Sequence, residues 1–119
     1  MGIANKYNRN RQFNFQIPQD FQYTSLKDMF QRDGGGVVYP VRAIYINKKS
    51  RYGDAPVVAT DKELVNCPAH LTDTVKQMLL DDEVIEAVNR GKVGFTIYQY
   101  EVRQQGNAIY FSLNWVDLP

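Results

Sequence analysis

A mainly β fold with one helical segment is what the sequence predicts for residues 37–119. Three observations carry that expectation. From Val37 onward, strand-forming runs and one helical pattern follow in the order strand, strand, strand, helix, strand, strand. The first two strands are joined by a basic, aromatic turn, Asn47-Lys48-Lys49-Ser50-Arg51-Tyr52-Gly53. The helical spacing falls between the third and fourth strands. This β-β-β-α-β-β order is what an OB-like five-stranded barrel requires, and the loop between its first two strands is a recurrent nucleic-acid contact.

Residues 1–36 precede the barrel domain as an N-terminal extension. The first dozen lack an apolar period, which predicts a mobile start. Phe13, Phe15 and Ile17 alternate, as a short strand ended by Pro18 would. Thr24 or Ser25 can cap a short helix through Leu26, Met29 and Phe30, with Asp28 in its first turn. Gly34-Gly35-Gly36 ends that helix. No Gly-Lys-Ser/Thr follows, so the glycines read as a hinge and not as a phosphate cradle.

Val37 to Lys48 is the first barrel strand. Its apolar residues (Val37, Val38, Val41, Ile44, Tyr45 and Ile46) fall on both faces, as in a long strand that bends to serve two sheets. Pro40 marks an unpaired or bulged position near its start. Pro56 to Thr60 is the second strand, Asp61-Lys62 a short turn, and Glu63 to Cys67 the third strand, stopped by Pro68.

Leu71, Val75, Met78 and Leu79 recur at helical spacing. Asp81 or Asp82 can cap a further stretch through Val84, Ile85 and Val88, with Gly91 at its end. One bent helix and two short ones fit equally. Gly94 to Arg103 is the fourth strand, with Phe95 and Ile97 on one face and Tyr98 and Tyr100 on the other. Gln104-Gln105-Gly106-Asn107 is a hairpin loop. Ile109 to Leu118 is the last strand. There is no internal repeat.

A chain of 119 residues with 44% hydrophobic and 23% charged residues suits a single domain with its own core. One cysteine excludes an internal disulfide framework and fits a reducing compartment. No early segment reads as a signal peptide, and no apolar run approaches the roughly 20 residues of a membrane span. A soluble, cytoplasmic protein is expected. The net charge of +1 is unevenly spread: residues 1–52 hold nine Lys or Arg against three Asp, whereas residues 53–119 hold five against ten acids. Such asymmetry can orient an anionic partner, although a mixed, solvated surface would also show it.

Two groups of residues are candidates for nucleic-acid contact. Lys48, Lys49 and Arg51 bring charge for phosphates, and Tyr52 brings a ring for a base, although hairpin turns are often charged simply because they are solvated. The chain has eight tyrosines, of which Tyr39, Tyr45, Tyr98, Tyr100 and Tyr110 fall in strands. An exposed row of them would be a stacking platform; core or subunit interface is the alternative. Arg42 either sits beside Tyr45 or points to solvent. Cys67 and His70 have a metal-like spacing without a second pair, so a core cysteine and a helix-start histidine are expected. Asp81, Asp82, Glu83 and Glu86 read as caps and a solvated face. No cofactor, metal or catalytic motif is expected.

The segments Ile44-Tyr45-Ile46-Asn47-Lys48-Lys49-Ser50-Arg51-Tyr52-Gly53, Val65-Asn66-Cys67-Pro68-Ala69-His70-Leu71 and Gly94-Phe95-Thr96-Ile97-Tyr98 together resemble small OB-fold single-stranded-DNA-binding proteins of phages and mobile elements of Gram-positive bacteria. The resemblance is one of layout and spans about two thirds of the chain. It implies sequence-tolerant binding by stacking and phosphate contacts, and homo-oligomers. Many such proteins end in an acidic disordered tail; Asn114-Trp115-Val116-Asp117-Leu118-Pro119 departs from that pattern. The expectation is non-catalytic binding of single-stranded DNA or RNA, DNA favoured. Lys48, Lys49 and Arg51 would contact phosphates with Arg42 and Arg103, and Tyr45, Tyr52, Tyr98 and Tyr100 would stack on bases. The alternative is a protein-interaction or structural module, a homo-oligomer held through the N-terminal extension or a sheet edge.

Overall fold

A computed structural model describes residues 13–48, 53–106 and 108–119. The described residues are mixed α/β, mostly sheet, with three α-helices and two sheets. β1 (Tyr23–Ser25) leads directly into α1 (Leu26–Asp33). β2 (Tyr39–Pro40), β3 (Ala43–Asn47), β4 (Ala55–Ala59) and β5 (Leu64–Asn66) follow. A 3-10 turn, Ala69–Leu71, precedes α2 (Thr72–Leu79) and α3 (Asp82–Asn89), and the long strands β6 (Val93–Val102) and β7 (Ala108–Asp117) complete the fold. No described helix is long and apolar enough to cross a membrane.

The first sheet has the order β1-β5-β4-β3 and the second β2-β6-β7. The expected strand order over residues 37–117 is present, but the closed barrel is not. The free edge of β5 is taken by β1, which pairs with it in parallel, Tyr23 opposite Leu64. α1 then packs Phe30 against Phe111 of β7, ring centroids 5.5 Å apart. A helix therefore stands where a barrel would need strand pairing. The predicted first strand is split as well. β2 joins the second sheet through Tyr39 and Phe95, and β3 joins the first through Ala43 and Ala59.

Both faces of the first sheet are apolar because both are covered. Ile44, Val58 and Val65 face the main core with Phe95, Ile97 and Leu113. Ala43, Val57, Ala59 and Leu64 face outward into a second cluster, against which Phe13, Phe15, Phe21 and Tyr45 pack. The alternation at Phe13, Phe15 and Ile17 thus marks no strand. The segment pairs with nothing in a ladder; Phe13 and Phe15 are half-buried on the sheet, and Ile17 is left 36% exposed. Asn14 N–H donates to Asn89 Oδ1 at 2.8 Å, which ties the segment to the end of α3.

The local signals for the helices hold. Ser25 Oγ accepts from Asp28 N–H at 3.1 Å, and Gly34, at φ +83°, ends α1 in the left-handed region that favours glycine. Leu26 and Met29 are buried beneath it. Asp81 caps α3 through Glu83 N–H, so the helical stretch is two helices. Arg32 makes a two-pronged bond to Glu63, both contacts at 2.9 Å, which joins α1 to the turn before β5. Tyr39 OH donates to Asp33 Oδ2 at 2.8 Å and joins α1 to β2.

Candidate functional site

The β6–β7 hairpin is the longest pairing in the fold, running from Val93 opposite Asp117 to Val102 opposite Ala108. Strand alternation turns Phe95 and Ile97 into the core and Tyr98 and Tyr100 outward. Register sets Tyr110 directly opposite Tyr100 and Ser112 opposite Tyr98. The three rings form a row. Tyr98 and Tyr100 have centroids 6.0 Å apart, and Tyr100 and Tyr110 stack at 5.8 Å with 29° between planes. Their exposures are 41%, 36% and 40%. A row of partly exposed, mutually supported aromatic rings is apolar, flat and electron-rich on its open faces. Flat heteroaromatic groups stack on such a surface.

Arg103 is exposed at the hairpin tip, next to the row's strand. Below the row, His70 Nε2 and Ser112 Oγ share a hydrogen bond at 2.9 Å, and Ser112 is buried. His70 therefore braces the outward face of β7 and is not paired with Cys67. The Cys67 thiol is buried, which pushes its pKa up to about 12. Among the described residues no group of three or more His, Cys, Asp or Glu could hold a metal ion. In the acidic run, Asp81 caps α3 and Glu86 pairs with Arg90 at 2.6 Å.

The expected site residues are only partly brought together. Tyr98, Tyr100 and Arg103 share the hairpin. Tyr45 does not join them. It lies on β3 in the other sheet, beside the segment at Phe13 to Ile17, with its hydroxyl 3.0 Å from that of Tyr23. Burial, and then that hydrogen bond, pushes the Tyr45 phenol pKa well up. Its ring is a packing group for the covered face. Arg42 is also elsewhere: its guanidinium lies beside Gly91, after α3, and not beside Tyr45. Strand alternation explains the separation, since Arg42 follows the parity of Ile44 and Tyr45 that of Ala43.

Lys48 is exposed at the end of β3. Lys49, Arg51 and Tyr52 lie outside the described residues. Beyond the turn, Asp54 pairs with Lys76 of α2 at 2.9 Å, which pins the return strand to the helix. The Lys76 hydrogen bond holds the Asp54 carboxyl below its usual range. Tyr110 belongs to the row although the expected stacking set stopped at Tyr100. Hairpin register is what places it: five residues separate the paired Val102 and Ala108, so Tyr110 falls across from Tyr100, whereas the expected four-residue loop 104–107 would have set Phe111 there.

No protein-family model matches this chain, and no curated protein or solved structure matches it with significance.

Proposed function

We propose that the protein binds single-stranded nucleic acid, DNA favoured, without catalysis. The observation that supports this reading is the row of three partly exposed tyrosines, Tyr98, Tyr100 and Tyr110. Bases stack on the row, and Arg103 and Lys48 supply attraction for phosphates. Stacking tolerates any base, and the phosphate term depends on salt. The test is fluorescence anisotropy of labelled oligothymidine against protein at low and moderate salt. Salt-sensitive binding, weaker for duplex and lost in a Tyr98→Ala/Tyr110→Ala double variant, is expected. Absence of binding at low salt would overturn the reading.

One observation favours a second reading, a protein-interaction module that forms homo-oligomers. Among the described residues β7 pairs with β6 alone, and Ile109 on it is 60% exposed. Where α1 does not cover it, such an edge is a template for another strand. The N-terminal route to such an oligomer has less support, because Phe13 and Phe15 cover the chain's own sheet. Light scattering showing a stable oligomer, together with no affinity for oligonucleotides, would favour this reading.

A further inference from the structure

A groove of about 380 Å³ runs beside the tyrosine row, between β7 and the chain that follows β5. Tyr100 and Tyr110 line one side; Asn66, Pro68 and His70 line the other, and Lys27 of α1 also borders it. Among the described residues no carboxylate lines the groove. Lys27 forms no ion pair among the described residues. The bond to Ser112 holds the His70 ring in place as part of the wall. Asn66 is exposed, and its backbone is fixed by ladder pairing with both Ser25 and Val57.

The lining combines aromatic rings, a proline, the apolar side chains of Leu26 and Ile109, an amide and a cation. An apolar side chain of a protein partner would use the rings and the proline and leave the amide and ammonium idle. A nucleotide uses those as well. Its base packs on the rings, the base edge meets the amide, which both donates and accepts, and its phosphate meets the ammonium. We infer that this groove takes one unstacked nucleotide of the strand held by the tyrosine row, with Asn66 at the base edge and Lys27 at the phosphate. The inference rests on the nucleic-acid reading of that row and adds to it a base preference.

The test is anisotropy with labelled oligothymidine, oligoadenine and oligocytosine on the wild type, Asn66→Ala, Lys27→Gln and Tyr98→Ala. The wild type is expected to favour one homopolymer about fivefold, and Asn66→Ala to bring all three within about twofold, the size of one hydrogen bond. Lys27→Gln weakens all three alike and flattens the slope of log affinity against log salt by about 0.7, the share of one phosphate contact on a single strand. If Asn66→Ala and Lys27→Gln match the wild type while Tyr98→Ala binds more weakly, the groove is empty and the tyrosine reading stands. A wild type indifferent to base also overturns the inference. If the wild type binds none of the three, both readings fall together.

Discussion

Val41 and Arg42 are consecutive residues whose backbone N–H groups bond to different sheets: Val41 donates to Val93 C=O at 2.9 Å, and Arg42 donates to Ala59 C=O at 2.8 Å. The strand changes sheet within one peptide unit. Val41, fully buried, sits at that corner in the main core. Pro40, expected at an unpaired or bulged position, instead ends β2 opposite Gly94, immediately before Val41. The corner brings the two sheets together over one core, and this holds the tyrosine hairpin against the rest of the chain.

The corner makes Gly94 sensitive. A Cβ there would lie 2.8 Å from Tyr39 C=O and 3.2 Å from Leu118. The near atom is backbone within the β2–β6 pairing and cannot swing away. Gly94→Ala is expected to lower stability by about 2 kcal/mol, the usual cost of overpacking. Urea unfolding checks it: the midpoint should fall with an unchanged m-value. An unaltered midpoint would mean that β2 is free to shift.

Residues with strong local signals were legible in the sequence. Ser25 announces α1 by its side chain, and Phe95, Ile97, Tyr98 and Tyr100 announce β6 by alternation. β1 was not legible, because Tyr23-Thr24-Ser25 has three residues and its stability comes from pairing with distant Leu64 and Val65. The alternation at Phe13 and Phe15 reports burial of side chains, and burial needs no ladder. Tyr45 shows the same limit at the site. Alternation sets it on an outward face, but a segment some thirty residues upstream decides whether that face meets solvent. Barrel closure likewise depends on which strand reaches the edge of β5 first.

Thr60 organises the turn between β4 and β5. Its buried hydroxyl accepts from the N–H groups of Lys62 and Glu63 at 3.2 Å each and lies 3.2 Å from Glu63 C=O, to which it donates. Thr60→Val keeps the shape and strands those groups. It is expected to cost about 2 kcal/mol, whereas Thr60→Ser, which keeps the hydroxyl, costs about half as much. Comparison of the two urea midpoints checks the order. Equal losses would assign the effect to packing.

Asp33 gives the fold a response to acid. The Arg32 hydrogen bond, and then that of Tyr39, lowers its carboxyl from 3.8 to about 2. A depressed carboxylate stabilises the folded state above its unfolded pKa. That stabilisation fades as pH falls from the unfolded value toward the folded one. The difference in thermal midpoint between wild type and Asp33→Asn should be full at neutral pH, shrink below about pH 4 and vanish near pH 2. Added salt should reduce it, since the pair is partly exposed. A difference independent of pH would show that the ion pair contributes nothing.

Cys67 should be chemically silent in the folded protein. Burial holds its thiol at about 12, far above the range in which a thiolate forms at pH 8, and the side chain is 8% exposed. Ellman's reagent at pH 8 is expected to label it slowly in buffer and completely in denaturant. Labelling in buffer at the rate of a free thiol would mean that the space around Asn66, Pro68 and His70 opens readily.

Tyr100 is the centre of the row, with a neighbour about 6 Å away on either side, at 6.0 Å to Tyr98 and 5.8 Å to Tyr110. Two properties of its side chain could matter to a ligand, the flat ring and the hydroxyl. Tyr100→Phe keeps the ring, and Tyr100→Leu keeps apolar area without a flat face. If bases stack on the row, Phe should bind oligothymidine within about twofold of wild type and Leu about tenfold more weakly, because stacking contributes ~1–3 kcal/mol per base. If the row is instead a protein contact surface, apolar area is what counts, and Leu should be tolerated in whatever oligomer forms. Anisotropy and light scattering on the same two variants separate these cases, since only stacking makes the ring itself indispensable.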